Sequence, residues 1–111
     1  MTHPVQGLEE VVHQRNRLGI LAVVHEASKV EFGFLRQTLG LTDGNLSRHV
    51  QVLEAAGLVN VQKGYNGRRP RTWVKITKAG RRAFAREVKA LRQLLDRLDG
   101  QSSGTGELFS N

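Results

Sequence analysis

Apolar residues recur along this chain with two different periods, and the change between them divides it into elements. From Leu8 to Ala27 the positions Leu8, Val11, Val12, Leu18, Leu21 and Val24 keep helical spacing, with Ile20 and Val23 widening the stripe. Gln14, Arg15, Asn16 and Arg17 interrupt it, which predicts a short first turn and a main helix starting near Asn16. Ser28 to Phe32 reads as a brief strand. A second helix is expected from Gly33 to Leu39, burying Phe34, Leu35 and Leu39 and ended by Gly40 in a left-handed turn. The next stretch, Leu41 to Gly57, has both helix ends marked. Thr42 suits an N-cap, Asp43 suits the positive end of the helix dipole, and Gly57 before apolar Leu58 suits a left-handed C-terminal cap. Leu41 and Leu46 are spaced for a hydrophobic staple, and Leu46, Val50 and Leu53 form one buried stripe.

After Gly57 the period drops to two. Leu58 to Lys63 and Arg71 to Ile76 alternate apolar and polar, the strand pattern. The seven residues between them, GYNGRRP, contain the hairpin signal Asn66-Gly67, and Pro70 belongs in that loop or at a strand edge. Thr77 then caps a last helix running to about Asp99. Its apolar positions Phe84, Val88, Leu91, Leu95 and Leu98 step by four and three, a heptad pattern. Gly100 closes that helix, and the Gly- and Ser-rich segment from Gln101 to Asn111 reads as a disordered tail. With 111 residues there is room for one domain, residues 1–100, containing long helices near 8–27 and 78–99. The fold class is mainly α with a small β-hairpin.

The helix after Thr42 turns Gly44, Arg48 and Gln51 away from its apolar stripe, flanked by Asn45 and Ser47. This face is small and hydrogen-bonding, and suits base edges in a major groove, where Arg reads guanine and Asn or Gln reads adenine. Polar residues also face outward on any amphipathic surface helix, so the flanking segments decide. Here charge matters: 17 Lys and Arg against 10 Asp and Glu give a formal net charge of +7, which favours a polyanionic partner. The hairpin carries Lys63, Arg68, Arg69 and Arg71 beside Tyr65 and Asn66. From Lys63 to Arg92 there are 11 basic residues against Glu87 alone. Arginines at a hairpin tip fit the electronegative minor groove, and further cations at the start of the last helix suit phosphates. Trp73 is assigned to hairpin packing.

Other chemistries find little support. There is no Cys, and His13, His25 and His49 lack metal-binding spacing, so neither metal nor cofactor is expected. His49 falls about 60° from the buried stripe and is expected to be partly buried and hydrogen-bonded. No nucleophile stands with a base and no Gly-rich phosphate loop occurs, so no enzymatic activity is expected. No apolar run is long enough to span a bilayer and the N-terminus lacks a signal peptide, which predicts a cytoplasmic protein without a membrane partner.

Helix, short strand, helix-turn-helix, hairpin and long helix is the order of a winged helix. In "RLGIL" at 17–21, "FGFLRQTLGLTDGNLSRHVQVLEAAGLV" at 32–59 and "KGYNGRRPRTWVKITKAGRRAF" at 63–84, the chain resembles small single-domain transcriptional regulators of the MarR and ArsR type. The resemblance implies a homodimer on double-stranded DNA, with Thr42 to Ala56 as recognition helix (Thr42, Asp43, Gly44, Asn45, Ser47, Arg48 and Gln51 facing DNA) and Gly64 to Arg71 as wing. Leaving Leu91, Leu95 and Leu98 in water would forfeit roughly 1.5 to 3 kcal/mol each, so a two-fold partner is expected over Phe84, Val88 and these leucines, joined by Leu8, Val11 and Val12. Repression by promoter occlusion follows as the expected mode. The alternatives are a non-specific or architectural nucleic-acid binder and a protein-interaction winged helix. The chain is shorter than ligand-sensing MarR members and lacks the Cys of many ArsR metal sensors, which leaves a small-molecule effector open and unassigned.

Overall fold

The computed structural model describes residues 4–101, with side chains from 14 to 100. Seven elements follow in order: α1 (Pro4–Ala27), β1 (Lys29–Glu31), α2 (Phe32–Leu39), α3 (Asp43–Ala55), β2 (Val59–Asn66), β3 (Arg69–Ile76) and α4 (Lys78–Gln101). Four helices and a three-stranded antiparallel sheet make a winged helix of the α+β class, with a long C-terminal helix. The strand order is β1-β3-β2.

The core lies between one face of the sheet and the first three helices. Ile20, Leu21 and Val24 of α1 meet Leu35 of α2, the Leu46, Val50 and Leu53 stripe of α3, and Val30, Val59, Val74 and Ile76 from the strands. The register explains the division of faces. Val30 stands opposite Val74 and Val59 opposite Ile76, so the alternation places valines and Ile76 inward, and Lys29, Trp73 and Lys75 outward.

Four expectations are corrected. The first helix is continuous from Pro4 to Ala27, because the polar run from Gln14 to Arg17 is made of residues a helix tolerates, and it interrupts only the apolar face. Phe34 is 54% exposed: Phe32, Leu35 and Leu39 supply the inward face of α2, and Phe34 sits about 100° from Leu35. His49 is 3% exposed, since the core wraps further around α3 than its three-residue stripe implies.

The hairpin is also tighter than expected. β2 extends to Asn66 and β3 begins at Arg69, leaving only Gly67 and Arg68 between them. Asn66 pairs with Arg69, and Gly67 takes a positive φ of 67° while Arg68 does not. That is the pattern of a type II′ turn, which matches the twist of the flanking strands. Pro70 is accommodated because it pairs with Tyr65 beyond the reach of β1, which covers only Trp73 to Lys75.

Candidate nucleic-acid interface

Local bonds fix the entry and exit of α3. The Thr42 hydroxyl oxygen accepts from the Asn45 amide at 3.1 Å, so the expected N-cap is formed. At the other end the Gly57 amide donates to the Glu54 carbonyl and the Leu58 amide to the Leu53 carbonyl, each at 2.9 Å. This is a Schellman closure, with Gly57 at φ 77°. Between these ends Asp43, Gly44, Asn45, Arg48 and Gln51 are exposed and Ser47 is half-buried. Leu46, Val50 and Leu53, at 0 to 4% exposure, hold the opposite face in the core.

Two of these residues also have partners inside the protein. The Thr42 hydroxyl is the cap itself. The Asp43 carboxylate pairs with the Arg36 guanidinium of α2 at 2.9 Å, tying the first helix of the helix-turn-helix to the second.

The sequence treats the basic hairpin residues as one group, and the register separates them. Lys63 and Tyr65 share the sheet face turned toward α3, where Lys63 and Thr72 line a groove with Ser47 and Gln51. Asn66, Arg69 and Arg71 fall on the outer face. Lys63, Asn66, Arg68 and Arg69 are exposed, and Tyr65 is 74% exposed. Arg71 is half-buried, with its Nε 3.7 Å from the Glu31 carboxylate, so it braces β3 against β1. Trp73 packs on the outer face, with the Lys29 ammonium 4.9 Å from its ring centroid.

Further contacts join distant elements, and of these only the Thr77 cap of α4 is expected from the sequence. A Glu54 carboxylate oxygen accepts from the Val61 amide at 3.0 Å. Val61 sits on the edge strand β2 with its N–H turned away from β3, so the end of α3 is bolted to the wing's free edge. The Thr77 hydroxyl donates to the Gly57 carbonyl at 2.7 Å and accepts from the Gly80 amide at 2.9 Å, capping α4 and joining it to the end of α3. Arg81 donates to the Ser28 hydroxyl at 2.9 Å and to the His25 carbonyl at 3.4 Å.

Of the expected association face, Phe84 and Val88 are half-buried, and the Phe84 ring stacks against His25 at 4.8 Å. Leu91, Leu95 and Leu98 are 45%, 59% and 51% exposed, joined by Leu94 at 45%, which the heptad count overlooks. The side chains of Leu8, Val11, Val12 and His13 lie outside the described residues, as does the tail beyond Gln101. Among the described residues no helix is long and apolar enough to cross a membrane.

Comparison with known proteins agrees with this geometry. A protein of Methanocaldococcus jannaschii with no assigned function is 40% identical over 78 residues, which is 70% of this chain and 85% of that one. The structure of a transcriptional regulator homologue from Pyrococcus horikoshii superposes with a TM-score of 0.70 at 36% identity, covering 83% of this chain and 96% of the other. A MarR-family regulator from Silicibacter pomeroyi matches with a TM-score of 0.59 at 26% identity, over 76% of this chain and 56% of that one. A sequence model of the winged helix DNA-binding domain matches residues 16–95, from the middle of α1 into the last turns of α4. The chain therefore belongs to the winged helix DNA-binding domain family, among neighbours that are transcriptional regulators, MarR members included.

Proposed function

We propose that this protein is a sequence-specific regulator that binds duplex DNA as a homodimer and represses by occupying promoter sites. The observation that carries the reading is the solvent face of α3. Gly44, Asn45, Arg48 and Gln51 are exposed there together, with Val52 as the one large apolar side chain among them, beside a hairpin tip bearing Arg68 and Arg69. Asn, Gln and Arg on a helix of this size match the donor and acceptor pattern of the major groove, while the wing arginines suit phosphates or the minor groove.

The dimer rests on α4. Leu91, Leu94 and Leu95 stand in water in the single chain, at 45 to 59% exposure, and a two-fold copy of the same helix would cover them. Two recognition helices about 34 Å apart would then read a palindromic site. A cleft of about 550 Å³ between α1 and α4, with Leu18, Leu21, Leu53 and Leu91 in its wall and Arg15 and Arg86 beside them, offers a small-molecule effector a place next to this joint.

The test is selection of bound duplexes from a random pool, followed by the affinity ratio between selected and random DNA. Arg48→Ala is expected to cost about 1 to 3 kcal/mol on the selected site and to relax the choice at one or two base pairs. A loss equal on selected and random duplexes would make Arg48 a phosphate contact and overturn base reading by this helix.

A further inference from the structure

The proposed DNA surface uses α3 and the hairpin tip; the cations along α4, which from the sequence are expected to meet phosphates, form a second basic surface apart from it. Along α4, Lys78, Arg82 and Lys89 fall within about 40° of one another, with Arg86 and Arg92 to either side. All five are exposed. Glu87 lies on the opposite face, in the wall of the cleft against α1, and the first acid on the basic face is Asp96.

At its N-terminal end this face runs into the outer face of the sheet. Arg81 is bound to Ser28 there, and the neighbouring Lys29 stands directly opposite Lys75 in the register. Like charges at facing positions oppose folding, so the fold alone gives no reason to place them together. On the same sheet face the Glu31 carboxylate is held by Arg71. Among the described residues none of Lys29, Lys75, Lys78, Arg82, Arg86, Lys89 and Arg92 forms an ion pair with a carboxylate.

This surface starts at the base of the hairpin. β3 spans about 24 Å from Arg69 near the tip to Ile76 at the base, and α4 departs from that base. The basic positions from Lys78 to Arg92 cover about a further 21 Å. On a nucleic-acid strand with one phosphate every ~3.4 Å, that length faces about six phosphates. Its composition favours a phosphate backbone over an acidic protein. Protein interfaces draw on apolar and aromatic anchors in their centre, whereas this face has Ala85 on α4, half-buried Phe84 and Val88 at its border and a Trp73 ring that Lys29 already covers. Charge alone holds duplex DNA.

We propose that the basic face of α4, continued by Lys29 and Lys75, is a second binding surface for duplex DNA, so that the protein holds two duplexes together. The inference rests on the reading of α3 and the wing as the first surface.

The experiment immobilises a duplex carrying the selected site, loads it with the full-length protein, and measures capture of a labelled second duplex of unrelated sequence. The variant Lys78→Ala, Arg82→Ala, Lys89→Ala, Arg92→Ala alters exposed positions only, and its unfolding midpoint is checked in parallel. The expected result is unchanged affinity for one duplex, within about twofold, and at least about tenfold less capture of the second. A Lys78→Arg, Lys89→Arg variant keeps the charge and should keep capture. Single-duplex affinity falling as far in the quadruple variant as in Arg68→Ala, Arg69→Ala would overturn the proposal, because one duplex would then touch both surfaces. So would capture that survives the quadruple variant, since a dimer could link duplexes through its two recognition helices. Loaded protein that captures nothing, yet binds polyglutamate through these cations, would point to an acidic protein partner instead. Wild-type protein that loads on no duplex would remove the underlying reading as well.

Discussion

Replacing Gly80 by Ala sets two effects of opposite sign against each other at the joint between α4 and the sheet. Gly80 lies in the first turn of α4, pressed against the start of β2. An added Cβ would meet Ile76 Cγ1 at 2.8 Å and the Leu58 carbonyl carbon at 3.0 Å, with the Leu58 oxygen nearer still. Helix propensity favours Ala over Gly by up to about 1 kcal/mol. Overpacking costs about 1 to 3 kcal/mol where neighbours can give way. Here they cannot give way freely, because the Leu58 oxygen accepts from the Thr77 amide at 3.1 Å and moving it breaks that ladder bond, worth about another 1 kcal/mol. The clash therefore wins, and Gly80→Ala should destabilise by about 1 to 3 kcal/mol, lowering the midpoint by roughly 5 to 15 °C for a domain of this size. Gly33→Ala is the control. Its Cβ would meet nothing within 4 Å, so a gain of about 0.4 to 1 kcal/mol is expected. Thermal and urea unfolding at one fixed protein concentration would measure both, the concentration being held because association would shift the midpoint. A Gly80→Ala protein as stable as the wild type, with the control behaving as stated, would refute the argument from close approach.

Three further outcomes follow from other contacts. Arg68→Ala with Arg69→Ala should weaken binding to all duplexes and reduce the salt dependence by about 0.9 in log–log slope per lost phosphate contact, with the unfolding midpoint unchanged; a preserved slope would take the wing off the DNA. Leu91→Glu with Leu95→Glu should give a monomer, or an unstable chain, that loses specific binding, and a wild-type monomer at micromolar concentration in sedimentation that still binds tightly would dismiss the dimer. Glu54→Ala should reduce hydrogen-exchange protection of the Val61 amide, at a cost of about 0.5 to 1.5 kcal/mol, while Glu54→Gln retains an acceptor and recovers part of it; unaltered protection in Glu54→Ala would mean the carboxylate does not hold the wing edge.

The sequence determined those features of this protein that depend on neighbours a few residues apart. Thr42 caps its own helix three residues on, the Leu46, Val50 and Leu53 stripe repeats at helical spacing, Gly57 closes the last turn, and the strand alternation around Val59 and Val74 follows the pleat. Each is a local periodicity or a local hydrogen bond, so it is written into consecutive residues. The tertiary structure decided what depends on a partner far along the chain. Whether Asn66 belongs to a loop or a strand turns on its pairing with Arg69 and on a ladder eight residues long. Whether Phe34 is covered turns on which side of α2 meets the sheet, and how deeply His49 is buried turns on how far the core wraps α3. The bond from Glu54 to Val61, the pair of Arg36 with Asp43, and the seat of Gly80 against Leu58 leave no mark in any spacing. A carboxylate or a glycine looks alike in sequence whether it faces water or a backbone group, and only packing brings the second group within a few ångströms.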